Sequence, residues 1–319
     1  MKFEINTKVS KPLVGSLFVC AATAIAVGGS GGALLFTEIL IMVLFASSLN
    51  LLMSFGHMVS FGHAAYFGLG VYGFALAIDR FGVPVEIALL IGPLLATCFG
   101  LIFGALCVRL TEIYFAMLTL ACGQITYTVL FQWYDFTGGD TGLTGFIKPQ
   151  FGLSEQGFAF LVLVIVTICL LVLWRIIYSP LGLAIRSVGQ DRHRASAAGL
   201  NPRNVQLVAF VISTFFAGIA GTLFSVFQGN AFPEYAGLTF TLDALIMVVL
   251  GGLGSFSGGI WGAVIYTLLK TYIPIWISEW ELIIGLVLLF IVLVTPHGCA
   301  GGIKRFITLC GFKVGAKNV

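Results

Sequence analysis

The sequence predicts an all-α integral membrane protein, a polytopic helical bundle of about eight to ten transmembrane helices at roughly 20 residues per span, with a broken or re-entrant segment. Three observations predict it. Apolar residues make up 59% of the 319-residue chain and charged ones only 9%, with a mean hydropathy of +1.07, far outside the range of a soluble globular domain. Apolar runs of near-spanning length follow one another along almost the whole chain, which leaves no room for a sizeable soluble domain, so residues 1–319 read as a single membrane domain. The 40 glycines suit helices whose backbones approach closely.

The runs fall near 13–29, 34–54, 62–79, 84–108, 113–134, 157–177, 205–227, 238–254, 258–275 and 279–295. The first follows Lys2, Lys8 and Lys11 and leads through small residues straight into the second, so it is taken as a retained helix and not a cleaved signal. Between the second and third runs only Phe55 to His63 intervene, an interval short enough for a broken or re-entrant helix. Further breaks are expected at Gly28–Gly32 and at Gly251-Gly252-Leu253-Gly254-Ser255, where glycines interrupt apolar helix. Lysines and arginines gather near both termini and in the interval 178–204, which places those on the cytoplasmic side and the Asp135–Glu155 loop outside. The net charge of +3 thus informs topology and carries no sign of nucleic-acid binding. Seven cysteines without paired spacing read as small apolar residues, with no disulfide framework or metal site behind them.

The interval 178–204 is the one extended polar segment. Arg186, Arg192, Arg194 and Arg203, with Arg175 flanking, stand beside a single acid, Asp191. Residues Asp191 to Ala198 are expected to form a short helix stopped by Gly199, and the whole reads as a cytoplasmic docking loop between spans.

Polar residues inside the spans are costly in lipid and face a cavity or another helix. They are Glu38, Asn50, His57, His63, Gln124 and Asp243. Glu38 reads as an interfacial residue. Asn50 and Gln124 suit hydrogen bonds between helices or contact with a solute. Asp243, after Thr239 and Thr241, suits a capping role in the first turn of its span, or gating. His57 and His63 sit in a near repeat, Phe55-Gly56-His57 and Phe61-Gly62-His63. Their spacing does not suit a metal on one helix face, and the imidazoles are expected either to satisfy backbone groups freed at a broken helix or to line a path. The sequence has no nucleophile elbow, no His-Glu-x-x-His and no phosphate-cradling loop, so this chain is expected to perform no covalent chemistry and no ATP hydrolysis.

Four patches resemble the permease subunits of high-affinity branched-chain amino acid ABC importers, the LivM type in particular. They are Ala46–Leu52 with Ser60–Gly70; Tyr114–Ala121 and Gln124 with Thr137–Gly145; Ser179–Gly182 through Ala198–Asn201 to Ala209–Ser213 and Ala217–Gly221; and Met247–Ser255. They extend over roughly residues 45–265, and the chain departs from the pattern at Gln190 and Arg192. The resemblance implies an inner-membrane permease that pairs with a second permease, docks two cytoplasmic ATPase subunits and receives its substrate from a periplasmic binding protein. It needs no cofactor of its own. Residues 178–204 would be the coupling loop, with Gly182, Arg186, Asp191, Arg192, Arg194 and Gly199 as its characteristic residues. Polarity at membrane depth and helix breaks place Asn50, His63, Gln124, Asp243, Gly251 and Gly252 along the translocation path. The implied cargo is leucine, isoleucine and valine, moved by alternating access. The same scaffold also resembles permeases for urea, short amides and aromatic acids. An ion-coupled secondary transporter using Asp243 or Glu38 is the reading of another class.

Overall fold

The computed structural model describes residues 29–110, 112–145, 154–276, 281–283, 285, 286 and 289. The expected runs near 13–29 and 279–295 fall almost wholly outside them. The described elements are α1 (Gly29–Asn50), α2 (His63–Asp79), α3 (Val85–Cys107), α4 (Glu112–Gln132), α5 (Tyr134–Thr137), β1 (Leu143–Thr144), α6 (Glu155–Ile177), α7 (Pro180–Gln190), α8 (Arg192–Ala197), α9 (Pro202–Gln228), β2 (Asn230–Ala231), α10 (Leu238–Gly251) and α11 (Phe256–Trp276). Helix dominates because a chain in hydrocarbon must satisfy its backbone amides within each segment. The exception is a two-residue antiparallel ladder, Leu143 against Ala231 and Thr144 against Asn230, which ties the loop after α5 to the end of α9.

Helices α1, α2 and α9 form the centre. Phe45, Phe67, Phe210 and Tyr66 are fully buried there, and the rings of Phe45, Phe67 and Phe240 interlock with centroids 4.7–5.6 Å apart. Helix α3 instead exposes Ile87, Leu90, Leu94 and Leu101 along one face, an apolar stripe suited to lipid and inverted from a water-soluble helix. Glycines set the helix separations. A Cβ on Gly221 of α9 would overlap the Phe67 carbonyl of α2, and one on Gly70 of α2 would overlap the Gly218 carbonyl of α9.

The apolar runs do not each form a separate span among the described residues. Among the described residues, five helices are long and apolar enough to cross a membrane, six if α10 and α11 are one broken span. Helix α2 has 17 residues, roughly 25 Å at 1.5 Å per residue, short of a hydrocarbon core of about 30 Å. It is buried along nearly its whole length, so neighbouring protein replaces lipid around it. The runs 238–254 and 258–275 are not two separate spans: α10 and α11 bend by 117° at the 252–255 break. The expected break at Gly28–Gly32 is absent from residue 29 onward, where α1 runs through Gly31 and Gly32 without interruption.

The break after α1 falls where the spacing of the runs places it. Leu51–Phe55 widens into a π-helical turn, and a non-helical stretch leads to His63. The freed amides are met by threonine hydroxyls and wide turns, not by imidazole. Phe61 N–H donates to Thr119 Oγ1 (3.2 Å), Ala64 N–H to Thr241 Oγ1 (3.1 Å), and Met58 N–H to the Leu52 carbonyl (3.0 Å).

Candidate functional site

The 178–204 segment folds as two capped helices on the ends of the spans. Pro180 starts α7, and Ser179 Oγ accepts from Gly182 N–H. Gly182 must lack a side chain, because a Cβ would overlap the Ile177 carbonyl at the end of α6. Arg186 donates to that same carbonyl (3.3 Å), and its guanidinium lies 4.7 Å from the centroid of the Phe55 ring and 5.4 Å from that of Tyr178. A cation at a helix C-terminus stabilises the free carbonyls and the dipole, so Arg186 ties α7 both to α6 and to the π-helical turn. Gly189 completes the attachment: a Cβ there would stand 2.8 Å from the Gly56 carbonyl oxygen.

Asp191 divides the two helices. Its Oδ1 accepts from His193 N–H (2.9 Å) and Arg194 N–H (3.1 Å), and its Oδ2 pairs with Arg194 Nε at 3.0 Å. Arg192 turns the other way and donates to the Leu110 carbonyl beyond α3 (3.1 Å). Gly199, at φ +86°, takes the left-handed conformation past the end of α8, and Asn201 caps α9. All six residues expected in a coupling loop therefore share one end of the bundle but divide by task. Gly182, Arg186 and Arg192 face span ends, whereas Arg194 and Gly199 are exposed with Leu183, Gln190 and His193.

The amide hydrogen bond from Arg194, with help from His193 and the Arg194 guanidinium, holds the Asp191 carboxyl below its usual range. A depressed carboxylate pKa stabilises the fold fully above the unfolded-state value, near about 3.9, and is lost as pH falls through the lowered one. A nitroxide at position 196 is therefore expected to stay immobilised from about pH 5 to 8 and to become mobile below about pH 4, with Asp191→Ala mobile throughout.

Beside this loop lies an open cavity of about 1010 Å³ between residues 56–61, the start of α4 and residues 188–193. Its wall includes His57, Glu112, Arg192, His193 and Gln206. Gln206 is 4% exposed, and its Oε1 has no hydrogen-bond partner. Sequence reading passed over it, since a glutamine near a polar loop gives no sign of burial.

The residues expected along a path separate. Asn50 donates to the carbonyl of Ser255 (3.0 Å) and accepts from Ser54 Oγ (2.5 Å), while Ser54 Oγ accepts from Gly254 N–H (3.0 Å). The end of α1 is thereby clasped to the α10–α11 break. Gly252, at φ +103°, sits at that break, and a Cβ on Gly251 would overlap the Gly258 carbonyl. His63 is fully buried, with Nε2 2.9 Å from Ser48 Oγ and its ring stacked on Phe45; it lines neither described cavity. Gln124 lies on the exposed face of α4. Asp243 is not the N-cap of its helix, a position held by Gly237. It sits inside α10, accepting from Tyr266 Oη (2.5 Å) and paired with Lys270 Nζ at 2.6 Å.

The chain matches, over residues 31–293, the family described as branched-chain amino acid transport system / permease component. It is 29% identical to the high-affinity branched-chain amino acid transport system permease protein LivM of Escherichia coli over 289 residues, 82% of this chain and 68% of that protein. It is 29% identical to LivM of Salmonella typhimurium over 314 residues, 88% of this chain and 74% of the relative. The permease protein LivH of Escherichia coli is 34% identical over a shorter stretch of 126 residues, 39% of this chain and 41% of LivH. No solved structure matches. With more than three-quarters of its length under one family model and its all-helical membrane bundle, the chain belongs to the branched-chain amino acid transport system permease family.

Proposed function

We propose that this chain is the LivM-type permease subunit of an ATP-driven importer that carries leucine, isoleucine and valine across the bacterial inner membrane. It pairs with a second, LivH-like permease, two cytoplasmic ATPase subunits and a periplasmic binding protein, and both termini lie in the cytoplasm. The observation that carries this reading is the 178–204 segment. Its two short helices are anchored by Arg186, Gly189 and Arg192 to the ends of α6, α1 and α3, while their outer face presents Leu183, Arg194 and Gly199. Such a unit transmits a push from a soluble partner to several spans at once, which suits alternating access driven from outside the chain.

In this reading the solute path runs along the exposed face of α4 that bears Gln124 and ends in the cavity beside the loop. A glutamine is costly against hydrocarbon, so this face suits the second permease and an aqueous path between the two. Asn50, Gly251 and Gly252 act on that path as the clasp of the α10–α11 break. The test is affinity purification of the tagged chain from its native membrane, with mass spectrometry of the recovered subunits, in the wild type and in Gly199→Trp. A side chain at φ +86° strains the end of α8. The wild type is expected to bring down a second permease and ATPases, and the variant to lose the ATPases. Recovery of the chain alone, with ion-dependent uptake, would overturn the reading.

A further inference from the structure

A second, smaller cavity of about 170 Å³ lies among α1, α9, α10 and α11. It adjoins Gln228, the last residue of α9. The 178–204 segment runs into the first turn of that 27-residue helix, so the two sites stand roughly 40 Å apart at opposite ends of it. The wall carries two kinds of group. Glu38, Asp243 and Lys270 bring two carboxylates and one ammonium, with Tyr266 beside them, and Phe224, Tyr235 and Phe240 form the other side. Those three rings face one another, with centroids 5.0 Å apart for Phe224 and Tyr235, 5.9 Å for Tyr235 and Phe240, and 6.3 Å for Phe224 and Phe240.

The charges are arranged unequally. Asp243 is occupied on both oxygens, by Tyr266 Oη and by Lys270 Nζ, which steadies the lysine at the edge of the cavity. Glu38 lines the same space, so that two carboxylates and one ammonium share a small cavity whose remaining wall is largely aromatic and apolar. A surplus carboxylate in such a setting is costly unless a cation accompanies it, and aromatic faces reinforce the attraction for an ammonium group.

We infer that this cavity is a receiving site for a zwitterionic α-amino acid with an aliphatic side chain. The ammonium group seats between Glu38 and the aromatic trio, the carboxylate meets Lys270, and the side chain packs on Met42, Met247 and Phe240. Its size, the liquid volume of about five to six water molecules, excludes larger solutes. The inference rests on the importer reading and deepens it: the site lies at the end remote from the coupling segment, where a binding protein delivers substrate.

The test uses the complete complex with its partner permease and ATPases. Uptake of labelled leucine is measured in proteoliposomes supplied with the binding protein, and thermal unfolding of the same complex in nanodiscs is followed with millimolar leucine or 4-methylpentanoate, which lacks the ammonium group. Leucine is expected to raise the unfolding temperature of the wild type and 4-methylpentanoate to leave it unchanged. Glu38→Gln, nearly the same shape, is expected to abolish the leucine shift and to lower uptake at least about tenfold, the size of a lost charged hydrogen bond. Phe240→Leu guards against a folding defect specific to position 38 and is expected to weaken both readouts in a complex that still elutes intact. Leucine uptake within about twofold of wild type in both variants, with the shift retained, overturns the site and leaves the importer reading standing. Wild-type proteoliposomes that take up no branched-chain amino acid overturn the importer reading, and the site with it.

Discussion

Gly221→Val is expected to leave little monodisperse protein after extraction and to lower the unfolding temperature of what remains, whereas Gly32→Ala behaves as wild type. At Gly221 the obstacle is backbone: the Phe67 carbonyl of α2 occupies the place of a Cβ. The neighbouring contacts offer no slack. Gly70 meets the Gly218 carbonyl, Gly218 brings its own Cβ position within 2.6 Å of Ala96 Cβ on α3, and Gly92 of α3 meets the Thr222 hydroxyl. Nothing stands within 4 Å of a Cβ at Gly32. Overpacking in a tight core costs about 1–3 kcal/mol, and a site walled by backbone belongs at the upper end because no rotamer can move aside. In lipid no hydrophobic force draws separated helices together again, so lost close packing is not recovered. Size-exclusion elution and unfolding temperature of the two variants check this, and a Gly221→Val protein that elutes and melts like wild type would refute the close approach of α2 and α9.

Gly189→Val is expected to separate ATP hydrolysis from transport. The side chain would press on the Gly56 carbonyl oxygen at 2.8 Å and on His57 Cδ2 at 2.9 Å, so either α7 lifts from the π-helical turn or residues 56–62 are displaced. The outer face of the segment, with Leu183 and Arg194, is untouched by the substitution, and partner subunits are expected to remain bound. Leucine uptake per ATP hydrolysed is expected to fall about tenfold to a hundredfold, the equivalent of 1–3 kcal/mol of strain placed between the two states. Measuring uptake and phosphate release on the same proteoliposomes separates this from simple loss of assembly. Equal loss of both activities, with ATPases missing from the purified complex, would show that Gly189 serves docking and not transmission.

Local chemistry made much of this protein legible in advance. An excess of apolar residues arranged in long runs has no soluble solution, so the all-helical membrane bundle follows from composition and from the need of each backbone amide for a partner. The short helix expected at Asp191–Ala198 was equally open to view and forms over Arg192–Ala197, because Gly199 as a stop is a signal carried within one turn; that Asp191 stands outside it as the cap is what the structure adds. The break before His63 showed as an interval too short for a turn between two full spans.

Other features are relations between distant residues, which no single stretch of sequence encodes. Asp243 near Thr239 and Thr241 looks like a cap until the 117° bend of α10 against α11 brings Lys270, 27 positions later, to its carboxylate. His63 looks available for a path until Ser48 and Phe45 enclose it. Glu38 looks interfacial, and only the fold shows that α9, α10 and α11 close a cavity against it. The sequence by itself determined the helical character of the described segments and two of the three expected breaks, those before His63 and at Gly251–Ser255, since propensity, capping and hydrophobicity act within a few residues. Only the tertiary structure decided which buried polar groups are spent on one another and which are left facing open space, because in a low-dielectric interior that outcome depends on the partner each side chain meets.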